Sequence, residues 1–217
     1  MYTTHSVLAN FTTHIGVAAS VGAAFAASGL SAGVWSLSQT PALVVLVALG
    51  GIMPDIDADK SHSTRLIFTV LAITAALAAL ALARPILSAL GATCLALALY
   101  VGIRDVVAVV FRALTRHRAS WHSLLAVAAV TFSTVAISFR CFAQPARLAW
   151  SDGLAVALGM LIHLLLDECF SIDLEGARLK RSFGTALKLF DYRRPVATAL
   201  MAGATLLVMP WMPRWPF

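Results

Sequence analysis

The chain has 217 residues, of which 60% are hydrophobic and only 12% are charged, and its mean hydropathy is +0.86. This composition excludes an ordinary soluble domain and indicates a membrane protein. The 16 Lys and Arg residues exceed the 10 Asp and Glu residues by six charges. That surplus suits anionic lipid head groups or phosphorylated substrates better than duplex DNA, and no nucleic-acid-binding module is visible.

Seven apolar segments follow one another along the chain, and each except the second is close to the ~20 residues that a bilayer-spanning helix needs. They lie at about 15–35, 41–53, 66–83, 86–103, 123–139, 149–166 and 196–212. We therefore expect an all-α, polytopic helical membrane protein with about seven apolar segments, in which residues 1–217 form a single integral membrane domain. The short second segment is expected to form a hairpin with the Gly- and Ala-rich first segment.

The N-terminal segment is expected to remain in the mature protein, because Met1 to Phe25 contains no Lys or Arg for the basic region of a signal peptide. The three cysteines, Cys94, Cys141 and Cys169, are odd in number and lack Cys-x-x-Cys spacing. They therefore support neither a disulfide framework nor a cysteine zinc site.

Alternation of the loops places residues 1–14, 54–65, 104–122 and 167–195 on one side of the membrane. That side carries twelve of the 16 Lys and Arg residues, and the other four are Arg84, Arg140, Arg147 and Arg214. The positive-inside rule then predicts a multi-pass membrane protein with its N-terminus in the cytoplasm. All six histidines fall on this same side, so a site built from them would face the cytoplasm.

Three carboxylates, Asp55, Asp57 and Asp59, stand where the second apolar segment ends after Pro54. Carboxylates beside hydrocarbon are costly unless they are paired or coordinate a cation, and a bound metal would explain them. The alternative is a solvated loop with an Asp that caps the next helix. An EF-hand loop is excluded, because Lys60 occupies the required Gly position and a Leu occupies the position of the bidentate Glu.

His163 and Asp167 are four residues apart on an apolar helix, so both can reach one cation. A packed core histidine, a His nucleophile oriented by Asp167, and a proton-coupled transporter remain alternatives for this pair.

His117 and His122 lie about 140° apart on an ideal helix. We therefore expect Ser120 to cap the next helix, with His117 in the preceding loop and His122 in the first turn; an interfacial basic loop is the alternative. A mixed His and Asp set suits zinc or manganese better than calcium or magnesium.

These motifs occur in a recognisable order: His14, then Pro54-Asp55-Ile56-Asp57 with Lys60-Ser61, then His117-Arg118 and His122-Ser123, then His163-x-x-x-Asp167. The ordered set, over about residues 10 to 185, resembles the YdjM-type family of bacterial inner-membrane proteins, which are described as membrane-bound metal-dependent hydrolases. More remotely, the order of His and Asp residues is similar to that of zinc-dependent phospholipase C and its nuclease relatives. The resemblance implies phosphoester chemistry.

We therefore expect a cytoplasm-facing site that holds one or two divalent ions, zinc or manganese, because seven candidate ligands exceed one tetrahedral shell. The expected metal ligands are His14, Asp55, Asp57, His117, His122, His163 and Asp167. In that interpretation a metal-activated water attacks a phosphorus or acyl centre, with Asp57 or Asp59 as general base. The substrate would be a lipid or a lipid-linked phosphoester, and membrane lipids are the expected partners. A metal- or proton-coupled transporter without hydrolytic activity is the alternative function.

A basic loop follows the sixth apolar segment. Ser182 is expected to cap a short helix over residues 186–190, so that backbone N–H groups and nearby cations converge on an anion. The predicted substrate-binding residues are Arg118, Lys180, Arg181 and Ser182. The alternative is a surface helix that meets anionic lipid without selectivity.

Overall fold

The computed structural model describes residues 11–57, 62–114, 120–173, 178–179 and 187–217. Within these ranges the chain is almost wholly helical, with one minimal antiparallel ladder between β1 (Ile172–Asp173) and β2 (Arg178–Leu179). The helices are α1 (Phe11–Ser31), α2 (Thr40–Gly50), α3 (His62–Ala83), α4 (Ala89–Val101), α5 (Ala108–Leu114), α6 (Leu124–Arg140), α7 (Ala146–Phe170) and α8 (Pro195–Val208). A 3₁₀ turn at Met53–Asp57 follows α2, and another at Met209–Trp211 follows α8.

The predicted all-α membrane protein is confirmed, although seven full spans is a generous estimate. In the described ranges four helical segments are long and apolar enough to cross a membrane, namely Phe11–Ser31, Ser63–Ala83, Ala89–Phe111 and Ala146–Phe170. The other apolar helices, Thr40–Gly50, Leu124–Arg140 and Pro195–Trp211, are shorter. The 11 residues of α2 give it a length of only about 16 Å, roughly half the thickness of a hydrocarbon core.

The fourth helical segment is longer than predicted. Its α4 part continues through a π-helical stretch at Gly102–Val107 into α5, whereas the sequence interpretation ended this segment at residue 103 and began a loop at residue 104. Arg104 and Asp105 lie within the π-helical stretch, with their side chains 3.9 Å apart and the guanidinium over the Tyr100 ring. The predicted boundary at residue 104 is therefore wrong.

Helix α7 forms the centre of the described structure, since it packs against α1, α2 and α6. Glycines allow its backbone to approach its neighbours. A Cβ on Gly159 would lie 2.0 Å from the Val47 carbonyl oxygen of α2, and a Cβ on Gly153 would lie 3.0 Å from the Thr131 carbonyl oxygen of α6. Without an aqueous environment to drive helix association, such close contact provides the van der Waals stabilisation.

The arrangement of these helices brings four segments at helix ends together. The first turn of α1, the 3₁₀ turn after α2, the residues preceding α6 and the last turns of α7 are connected by side-chain contacts at one end of the helical assembly. Polar residues that are far apart in sequence therefore lie within one small volume.

Candidate metal centre

Five of the predicted ligands converge at this end of the structure: His14, Asp55, His122, His163 and Asp167. Their imidazoles are almost fully buried, with 1–5% of each side chain exposed, while the carboxylates of Asp55 and Asp167 are 25% and 18% exposed. The histidines therefore form the floor of the cluster, and its open side is the side on which the carboxylates lie.

Asp167 is the hub of the cluster, because its carboxylate faces three histidines. Its Oδ1 lies 3.4 Å from His14 Nε2, and its Oδ2 lies 3.4 Å from His122 Nε2 and 3.6 Å from His163 Nε2. Asp55 Oδ1 lies 3.7 Å from both His122 Nε2 and His163 Nε2. Two carboxylates thus face the same pair of imidazole nitrogens, which concentrates negative charge at the open side of the cluster.

Asp55 is held in place by its own turn and by the start of α3. Pro54 and Ile56 are buried on either side of it, so the 3₁₀ turn is anchored by apolar packing. The hydroxyl of Thr64, itself buried, donates to the carbonyl oxygens of Asp55 and Ile56 at 3.4 and 3.2 Å. The backbone is therefore fixed while the carboxylate remains directed towards the histidines.

His122 precedes helix α6, which begins differently from the prediction. The N-cap is Ser123, whose hydroxyl accepts from Ala126 N–H at 3.2 Å and donates to the Ser120 carbonyl at 2.7 Å. The extended backbone of Ser123 gives this residue the N-cap geometry. Ser120, the predicted cap, lies in the preceding turn. His122 is therefore the residue before the cap, whereas the sequence predicted it in the first helical turn.

The carbonyl group of Gly51, the C-cap of α2, fixes the ring of His163. His163 Nδ1 lies 2.7 Å from the carbonyl oxygen of Gly51, and a carbonyl can only accept, so Nδ1 carries the proton. In the neutral ring the lone pair then lies on Nε2, which faces Asp55 and Asp167. The separations of 3.6–3.7 Å between His163 Nε2 and the two carboxylate oxygens exceed the length of a hydrogen bond. The nitrogen lone pair and the carboxylate oxygens therefore face one another at a distance that a metal ion would bridge.

His14 adds a second layer to the cluster. Its ring stacks on that of His163 with 3.9 Å between centroids and 19° between planes, and its Nε2 approaches the oxygen of Asp167 that the other histidines do not use. Its Nδ1 is buried and has no hydrogen-bond partner among the described residues. His14 is therefore placed either to orient Asp167 or to contribute an additional ligand.

The residues fit a divalent transition metal. Two groups of three donor atoms lie within 4.8 Å of one another, His14, His163 and Asp167 in one and Asp55, His122 and His163 in the other. Bonds of about 2.0–2.2 Å place neighbouring ligands of a tetrahedral ion about 3.3–3.6 Å apart, and the four His–Asp pairs around His122 and His163 are 3.4–3.7 Å apart. Two imidazole nitrogens and two carboxylate oxygens form a donor set that suits zinc or manganese. The Gly51 carbonyl supplies the outer hydrogen bond that metal-ligating histidines usually make.

The remaining predicted residues cannot be placed relative to this cluster. The backbone of Asp57 ends the 3₁₀ turn, but its side chain lies outside the described part of the structure. The other predicted positions outside it are Asp59, His117, Arg118, Lys180, Arg181 and Ser182. Of the short helix expected over residues 186–190, the described residues 187–190 are not helical; instead the carbonyls of Lys188 and Leu189 accept from the N–H groups of Leu124 and Leu125 at 2.9 Å each.

Gly51 is a contributor to the cluster that sequence reasoning missed. Its role depends on a carbonyl, which every residue possesses, so only its small size gives a signal. A Cβ on Gly51 would lie 2.4 Å from Ala18 Cβ and 3.3 Å from the His14 carbonyl oxygen. The Gly50-Gly51 pair at the end of an apolar segment was the available indication that backbones meet there.

Comparison with known proteins agrees with this arrangement of polar motifs on apolar helices. The family model described as YdjM inner membrane protein matches residues 8–212. The chain belongs to the YdjM inner membrane protein family. Searches of curated proteins and of solved structures return no match. The family assignment establishes an inner-membrane protein and agrees with the resemblance carried by the His and Asp motifs.

Proposed function

We propose that this YdjM-family protein is a membrane-bound, metal-dependent hydrolase that cleaves a phosphoester of a lipid or lipid-linked substrate. The observation that carries the proposal is the His163 ring, whose Nδ1 proton is committed to Gly51 while Nε2 faces two carboxylates at 3.6–3.7 Å. Two half-buried carboxylates that face the same buried imidazoles repel each other unless a cation lies between them. A divalent ion between these donors would remove that repulsion.

Within the proposal, Asp55, His122, His163 and Asp167 hold the metal, and His14 positions Asp167. A divalent ion bound there would polarise a phosphoryl oxygen and make a coordinated water more acidic. Because four protein donors complete a tetrahedral shell, hydrolysis requires either a higher coordination number or a second ion. Asp57 and His117 are the further ligands proposed for that purpose, giving one or two zinc or manganese ions in all.

The partly exposed carboxylates support access by water from the open side of the cluster. There Asp57 or Asp59 is proposed to accept the proton of the attacking water. Arg118, Lys180, Arg181 and Ser182 are proposed to bind the phosphate of the substrate, because guanidinium, ammonium and hydroxyl groups neutralise or donate to its oxygens. A substrate embedded in the membrane agrees with a cluster built at the ends of apolar helices.

The proposed site faces the cytoplasm. This orientation rests on the distribution of Lys and Arg along the sequence, of which twelve lie in the segments assigned to that side. The protein would then act on the inner leaflet of the inner membrane, as a single integral domain that crosses the bilayer several times.

Metal analysis combined with turnover tests the proposal. Protein purified in detergent should contain about one or two zinc or manganese ions per chain, and a panel of phospholipids and isoprenyl phosphates should include a substrate whose cleavage stops on chelation and resumes on adding metal. The Asp167→Asn variant should lose both the ion and activity, whereas Asp105→Asn, an exposed carboxylate on the fourth helical segment, should lose neither. Metal-loaded protein that cleaves nothing but drives solute movement in vesicles would instead support the transporter.

A further inference from the structure

A polar feature that is separate from the metal centre lies at the other end of the structure, around Arg140. This residue ends α6, whose 17 residues place it about 26 Å from the His122 end of the helix. Its Nε donates to the carbonyl oxygen of Trp211 at 3.0 Å, which fixes the guanidinium plane. Its Cζ lies 5.3 Å from the centroid of the Phe139 ring, but within the described part of the chain no carboxylate lies in ion-pair distance of it. The positive charge therefore has no negatively charged partner among these residues.

Two apolar grooves lie beside the last turns of α6. One, with a volume of about 520 Å³, lies between α6 and α8 and is lined by residues that include Arg140 itself, Leu207 and Trp211. The other, with a volume of about 840 Å³, lies between α6 and the pair of α3 and α4 and has an almost entirely aliphatic lining. Ile137 and Cys141 line both grooves, so the last turns of α6 form a ridge with one groove on each side.

Aromatic residues place Arg140 at the depth of a membrane interface. Trp150 Nε1 donates to the Pro213 carbonyl at 3.2 Å, and its ring packs against Trp215 with centroids 4.7 Å apart. Together with Trp211 these residues form an aromatic group near the start of α7 and after the end of α8. Tryptophans concentrate at membrane interfaces because one edge is polar and the rest of the ring is apolar.

We propose that Arg140 and the two grooves bind one anionic diacyl phospholipid, whose phosphate contacts the guanidinium and whose two chains lie on either side of the Ile137 ridge. Charge complementarity identifies the ligand: an unpaired guanidinium prefers a lipid of net negative charge to a zwitterionic one. The planar donor fork, held by Trp211, suits a phosphate better than a mobile ammonium would. The two apolar grooves match a lipid with two chains, and this site is independent of the metal centre and of the proposed hydrolysis.

Native mass spectrometry of delipidated protein tests the inference. Titration with phosphatidylglycerol and with phosphatidylcholine of equal chain length should give a first binding step that is about fivefold tighter for the anionic lipid. Arg140→Gln keeps a donor near the Trp211 carbonyl but removes the charge, and should abolish this preference while leaving phosphatidylcholine binding unchanged. Arg147→Gln, the same charge change at an exposed position in the first turn of α7, should retain the preference.

Several results would overturn the site. Equal affinity of the wild-type protein for the two lipids would show that the grooves bind acyl chains without discriminating between head-group charges. This measurement does not depend on the folding of any variant. An equal loss of preference in Arg147→Gln would show that total charge, and not Arg140, is responsible. Displacement of lipid by a second copy of the chain, visible as a dimer free of bound lipid, would assign the grooves to self-association.

Discussion

Replacing Gly159 by Ala tests whether close packing of α2 on α7 tunes the metal centre. The new Cβ would stand 2.0 Å from the Val47 carbonyl oxygen and 2.7 Å from Gly51 N, against an ordinary contact of at least 3.4 Å. Because both obstacles are backbone atoms, the helices must separate by about 1.4 Å. The 2.7 Å bond from His163 Nδ1 to the Gly51 carbonyl, one helical turn away, would lengthen to about 4 Å and break.

Two costs follow from this separation. Overpacking costs about 1–3 kcal/mol, and leaving the buried imidazole N–H unsatisfied costs about 1–3 kcal/mol more. Loss of an outer hydrogen bond to a metal-ligating histidine typically lowers metal affinity by about 10–100-fold. We therefore expect a lower thermal midpoint in detergent and a metal affinity reduced by about that factor.

The assay is competitive metal titration with a chromophoric chelator beside thermal unfolding of the apo and metal-loaded protein. Gly203→Ala in α8 is the matched control, since its Cβ would meet nothing within 4 Å and Ala favours helix. A Gly159→Ala protein that is less stable but binds metal with wild-type affinity would refute the link between the glycine interface and the His163 ring.

Three further outcomes are expected. Asp167→Asn should reduce metal occupancy and lower the thermal midpoint of the metal-loaded protein towards that of the apo form, because metal binding stabilises the fold; unchanged metal content would remove this residue from the centre. Thr64→Val should destabilise by about 1 kcal/mol, because two backbone carbonyls lose their hydroxyl donor, and an unchanged thermal midpoint would contradict the proposed anchoring of the carboxylate turn. Single cysteines at positions 61 and 176, introduced after the native cysteines are replaced, should react in intact cells only with membrane-permeant reagents; labelling by an impermeant reagent would invert the proposed topology.

The sequence alone predicts much of what is observed. Composition and segment length predict apolar helices, because a bilayer requires about 20 apolar residues and a satisfied backbone. Helical periodicity predicts that His163 and Asp167 share one face, since four residues make about one turn. Alternation of the segments predicts that all six histidines lie on one side, and His14, His122 and His163 do lie together in the described structure. The ordered motifs indicate the family to which the chain belongs.

Local signals failed at two helix boundaries. The boundary predicted at residue 104 is wrong, because Arg104 and Asp105 remain helical, with the Arg104 guanidinium over the Tyr100 ring one turn earlier. Ser120 and Ser123 are equally good caps by residue type, and the extended backbone of Ser123 decides between them. Such choices depend on backbone conformation, which residue identity only biases.

Only the tertiary structure decided how the cluster is assembled. Asp167 faces His14 from a position more than 150 residues further along the chain, and the Gly51 carbonyl sets the tautomer of His163 across 112 residues. No periodicity encodes these contacts, because they arise from the packing of α1, α2, α6 and α7 with one another. The residue types identify which atoms can hold a metal, whereas the glycine-lined helix contacts bring those atoms to within 3.4–3.7 Å of one another.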